Sequence, residues 1–134
     1  MLFVVAAGAH GFLAPEHFAE WWGYGLFFIF ASALQAVWGL ALLTNAINPK
    51  DSGPRWRRLK TGFLVLGILG NVTTIVLYVV TRTVGIPLAG PQAGVVEEVA
   101  VVDIFTKVVE GATVFLLVAI LLRLRASEPV AAGP

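Results

Sequence analysis

Three runs of this chain, residues 22–46, 59–80 and 99–122, are each apolar over more than 20 positions and hold at most three charges. At a rise of about 1.5 Å per residue, roughly 20 residues carry a helix across some 30 Å of hydrocarbon. In lipid every backbone polar group must be bonded within the chain, and a helix does this inside a single segment. Composition agrees: 58% of residues are hydrophobic and 13% charged, where a soluble domain carries about a quarter charged residues. With 134 residues there is room for several helices but not for a second domain. The expectation is an all-α, polytopic transmembrane four-helix bundle, one domain over residues 1–125. No cysteine is present, which removes disulfides, thiolate metal sites and cysteine nucleophiles.

Residues 1–14 form the shortest apolar segment. They fall short of a full crossing, so the expectation is a shortened first transmembrane helix passing at Pro15 into an interfacial turn. Two alternatives are a natural start further upstream and a cleaved signal peptide. The second has a small-x-small pattern at Ala7-Gly8-Ala9 but no basic segment before it. Residues 47–58, INPKDSGPRWRR, read as a polar loop. Residues 81–96, TRTVGIPLAGPQAGVV, hold too many glycines and prolines for a helix interior and read as a turn-rich loop at the membrane face. Residues 126–134 read as a disordered cytoplasmic tail.

Charge is segregated along the chain. Lys50, Arg55, Arg57, Arg58 and Lys60 flank the second loop, and Arg123 and Arg125 follow the last apolar run, while Arg82 is alone in the other connections. The excess of basic residues in cytoplasmic loops places both termini inside. Trp21, Trp22 and Tyr24 then mark the outer headgroup level and Trp56 the inner one. The basic loop is explained by this topology, with anionic lipid as a small addition, and no nucleic-acid partner is expected.

The last run is interrupted by Asp103, Lys107 and Glu110, at spacings that place all three on one helix face. An ionisable group at membrane depth costs a few kcal/mol even on gentle scales, so it normally faces other protein or a watery cavity. Gln35 and Asn71 lie near the middle of the second and third runs and turn inward to a neighbouring helix. Above them, Glu16, His17, Glu20, Glu97 and Glu98 gather at the outer face, with His10 deeper on the first helix. The sequence thus predicts an outward-facing polar site formed by His10, His17, Glu20, Gln35, Asn71, Asp103, Lys107 and Glu110.

Three readings of that site stay open. One is a buried polar lock, in which Lys107 pairs with Asp103 or Glu110 and both histidines face away. Gly39, Gly62, Gly67 and Gly70 would then let the helices approach closely. The second is a divalent-metal site using His10, His17, Asp103 and Glu110, which are suitable ligand types but lack HExxH or repeated Glu-x-x-His spacing. The third is a proton or cation pathway; the wholly apolar FLLVAILL that follows argues against it, because the polar path ends at Glu110. No G-x-S-x-G, P-loop or dinucleotide turn is present, so an enzyme is not expected. The function expected is that of a structural or accessory membrane component in contact with the lipid bilayer and with other membrane subunits. The alternative is a divalent-metal- or proton-binding membrane protein.

Three blocks carry a resemblance: His10 with PEHFAEWWGYG (15–25), TRTVGIPLAGPQAG (81–94) with Glu97 and Glu98, and DIFTKVVE (103–110). Together they resemble a group of small, uncharacterised bacterial four-helix integral membrane proteins. The resemblance covers most of the chain. It implies the same membrane topology and a longer first helix, and it brings no activity with it.

Overall fold

The computed structural model describes residues 1–44, 53–86 and 90–126. Among these are four helices: α1 (Leu2–Glu20), α2 (Trp22–Leu43), α3 (Pro54–Thr83) and α4 (Val101–Ala126). The last three are each long and apolar enough to cross a membrane. Residues 45–46 of the expected second helix, 47–52 and 87–89 of the expected loops, and 127–134 of the expected tail lie outside the described residues.

The first helix departs from expectation. It continues through Pro15 to Glu20, and extended backbone at Trp21 (φ −166°, ψ 136°) separates it from α2. A proline inside a helix removes one hydrogen bond and crowds the preceding turn. Here α2 packs antiparallel along α1 and keeps the two halves in line. Gly11 lies against Ser32, whose hydroxyl donates to the Ala7 carbonyl at 2.8 Å. An unbroken α1 puts His10 and His17, two turns apart, on the same face.

The third helix also starts earlier than expected. Pro54 follows Gly53 and occupies the first turn, where its missing N–H has no intrahelical partner to lose. Arg55, Arg57 and Arg58 therefore lie on the helix rather than in a loop. Arg57 Nη2 donates to the Leu124 carbonyl at 3.0 Å, so a cation satisfies the carbonyl end of α4. The start of α3 and the end of α4 meet at one end of the bundle, with Arg123 and Arg125 beside them.

Side chains form layers along the bundle axis. At the basic end, Phe3, Leu64, Leu117 and Leu121 make an apolar core, against which Trp38, Leu42 and Leu124 pack. Trp38 bridges α2 and α3, stacked on Phe63 at 4.7 Å with its Nε1 donating to the Phe63 carbonyl at 3.0 Å. The outward faces are covered by exposed Leu, Val, Ile and Phe, the arrangement that lipid rather than water stabilises.

Of the glycines expected at helix contacts, Gly39 and Gly67 are used and Gly62 and Gly70 are not. A Cβ on Gly67 would stand 2.7 Å from Trp38 Nε1, and one on Gly39 would stand 2.9 Å from Val4 Cγ2, whereas Gly62 and Gly70 have open space around them. Gly67→Ala is expected to displace Trp38 from its hydrogen bond and cost about 1–2 kcal/mol as overpacking. Gly70→Ala should be neutral or slightly stabilising, through helix propensity. Thermal unfolding of the two variants in the same detergent checks the contrast.

Candidate functional site: a buried carboxylate beneath an aromatic vestibule

Glu110 is completely buried, halfway along the bundle. Its carboxylate collects donors from three helices. His10 Nε2 of α1 donates to Oε1 at 2.8 Å, Gln35 Nε2 of α2 to the same oxygen at 3.2 Å, and Lys107 Nζ of α4 to Oε2 at 2.6 Å. The Gln35 amide also donates to Asn71 Oδ1 of α3 at 3.4 Å, and Asn71 Nδ2 closes on the Gly67 carbonyl at 2.8 Å. All four helices thus meet at one charge. A buried carboxylate is tolerable only when its lone pairs are satisfied and a countercharge is near, and Lys107 one turn back supplies that charge.

Asp103 does a different job. By the helical rise it lies about 10 Å above Glu110 along α4. Its Oδ2 accepts from Arg82 Nη2 at 2.7 Å and from the Ala100 backbone N–H at 3.1 Å. The second bond is the backward half of a capping box, and an acid in the first turn also suits the helix dipole. Arg82 pairs with Glu97 as well, and its guanidinium lies 5.0 Å from the Tyr78 ring centre. This one cation therefore joins the end of α3, the long connection and the start of α4.

That connection folds as the turn chemistry requires. Gly85, Gly90 and Gly94 all have positive φ. Ile86 and the 93–95 segment are joined by Gly94 N–H to the Ile86 carbonyl at 2.9 Å and Ile86 N–H to the Val95 carbonyl at 3.1 Å. Gly90 seats on Tyr24 and Trp21 so closely that a Cβ would stand 2.4 Å from the Tyr24 hydroxyl.

Between this connection and Glu110 lies an open cavity of about 180 Å³. Five aromatic side chains, Trp21, Tyr24, Phe27, Phe28 and Tyr78, line it together with the charged Arg82, Glu97 and Asp103. His10 and Lys107 reach it from the buried cluster. His17 also lines it, but stacks on Phe28 at 4.0 Å and pairs with Glu20 at 3.2 Å.

The residues expected at the site therefore divide. His10, Gln35, Asn71, Lys107 and Glu110 come together; Asp103 joins Arg82, and His17 with Glu20 stays near the joint between α1 and α2. The lock reading had both histidines facing away, yet His10 is a member of the cluster. A helix ending at Pro15 would leave the position of His17 relative to His10 undetermined, whereas the unbroken α1 fixes it. For the metal reading, no group of three His, Asp or Glu able to hold an ion occurs among the described residues. The sequence reading gave Arg82 only a topological role. Its position as the one basic residue in the connections that hold most of the acids was the available signal. Trp21 and Tyr24, expected at the headgroup level, line the vestibule, while Trp22 is largely exposed.

Comparison of the chain with protein-family models, with curated proteins and with solved structures gives no match.

Proposed function

We propose that this protein is a small accessory component of a bacterial inner membrane, a bundle whose helices are held in register by the Glu110 cluster. It belongs, on this reading, with the small bacterial four-helix proteins whose motifs it resembles. The supporting observation is that one carboxylate draws partners from α1, α2 and α4 and, through Gln35, reaches α3. Apolar surface drives helix association weakly in lipid, so small-residue contacts and interhelical hydrogen bonds set the pairing. A shifted register would strand a buried carboxylate and an ammonium, and this penalty makes such a cluster a specificity device. The basic end faces the cytoplasm and the vestibule opens outward.

Two measurements test this. Because the chain has no cysteine, Glu98→Cys and Arg125→Cys each create a single labelling site. A membrane-impermeant maleimide should label Glu98→Cys in spheroplasts and Arg125→Cys only after lysis; the reverse pattern contradicts the orientation. Elemental analysis of purified protein should find no stoichiometric divalent metal, with Glu110→Gln lowering stability alone. One metal per chain, lost in both Glu110→Gln and His10→Ala, would replace the lock with a metal site.

A further inference from the structure

Among the described residues, three that line the vestibule carry a buried polar atom without a partner: the Tyr24 hydroxyl, His10 Nδ1 and Arg82 Nε. Tyr24 lies under Gly90 at the rim and His10 at the floor beside Glu110. Buried polar groups are normally hydrogen-bonded, and leaving one unsatisfied costs about 1–3 kcal/mol. The larger cleft at the other end of the bundle, about 550 Å³ between Phe3, Leu42, Leu64 and Leu117, has no such atom in its lining.

The charges around the vestibule narrow what could fill it. Arg82 is matched by Glu97 and Asp103, and Lys107 by Glu110. Both cations also lie over the Tyr78 ring, so that face is occupied. Arg82 faces two acids, so an anion would be buried beside an excess negative charge, which is costly, and an ammonium could not accept from the Tyr24 hydroxyl. The four aromatic side chains other than Tyr78 favour a flat ring, through edge-to-face and offset stacking. With His10 Nε2–H committed to Glu110, the tautomer that carries no second proton presents Nδ1 as an acceptor. The Tyr24 hydroxyl can donate to an oxygen.

We propose that the vestibule binds an uncharged, single-ring phenol, a class that includes hydroquinone head groups. The ring lies among Trp21, Phe27 and Phe28, its hydroxyl donates to His10 Nδ1, and an oxygen at the other end of the ring accepts from Tyr24. About 180 Å³ suits one ring, since a cavity of some 150 Å³ lined by apolar side chains holds benzene. The structural lock beneath is unaffected, so this site goes beyond the accessory role and does not depend on it.

Equilibrium dialysis of radiolabelled 4-methoxyphenol, benzoate and benzylamine against the purified protein in detergent, with a detergent-only blank, tests the assignment. The expected result is saturable binding of 4-methoxyphenol at one per chain, with benzoate and benzylamine at least tenfold weaker. Tyr24→Phe removes one oxygen and keeps the ring, and should weaken 4-methoxyphenol about tenfold while leaving toluene binding unchanged. Leu77→Trp, which fills the vestibule from α3, should abolish binding of both without altering the unfolding temperature by more than a few degrees. Binding no greater than the blank, benzoate or benzylamine binding as tightly as the phenol, or an unchanged affinity in Tyr24→Phe overturns the proposal.

Discussion

Glu110→Ala is expected to destabilise the bundle by about 3–5 kcal/mol, the usual consequence of removing one member of a buried charge pair. The size follows from what is left behind. Lys107 Nζ, His10 Nε2 and one Gln35 N–H lose their acceptor at once. In a site that Glu110 fills completely, water would have to enter to replace it. Glu110→Gln keeps the volume and an acceptor oxygen while removing the charge, and should cost about half as much. Unfolding in mixed micelles, with the fraction of well-folded protein recovered from membranes alongside, reads both. Equal, small effects for the two variants would mean that the carboxylate is not the centre of the cluster.

Arg82→Ala has the second largest expected effect, about 2 kcal/mol, near the middle of the range for a hydrogen bond to a charged group. The value is held down because Arg82 and its partners are partly exposed, where water replaces some of what is lost. The consequence is local. Without the guanidinium, Glu97 and Asp103 face each other as like charges, and the 84–100 connection is held to α3 mainly by Glu97 N–H on the Thr81 carbonyl at 3.1 Å. Amide exchange at Gly94 and Val95 should therefore quicken by at least tenfold while the apolar core around Leu117 stays protected. Arg82→Lys should rescue little, because a single ammonium cannot present the two-sided fork that reaches both carboxylates. Full protection in Arg82→Lys would contradict this account of the residue.

Much of the site was readable before any geometry, and the exceptions have definite causes. Lys107 and Glu110 share one helix at a spacing that brings side chains together whatever the rest of the fold does. Gln35 and Asn71 had to face inward because an amide at the membrane midplane has nowhere else to find partners. His10 was harder, because its role depends on the rotation of α1, and Pro15 disguised how far that helix runs. Arg82 was missed for a related reason: Glu97 and Asp103 are 15 and 21 residues away, beyond any helical spacing. The vestibule was legible only as a collection of acids and histidines. Its aromatic walls arise from the sharp joint at Trp21, which folds α2 back along α1 and brings Tyr24 and Phe28 toward the histidine face. Turn chemistry, by contrast, is local, and the glycines of 81–96 announced their positive-φ positions.

A double-mutant cycle between Glu110→Gln and Lys107→Met tests the central claim, that a single buried charge cluster sets the register of the four helices. If the two side chains form one unit, each single variant leaves its partner stranded and the double variant does not. The double variant should then be more stable than the sum of the singles by at least about 1 kcal/mol. Costs that add to within about 0.5 kcal/mol, as for independent sites, would show that Glu110 and Lys107 do not act together and would contradict the lock.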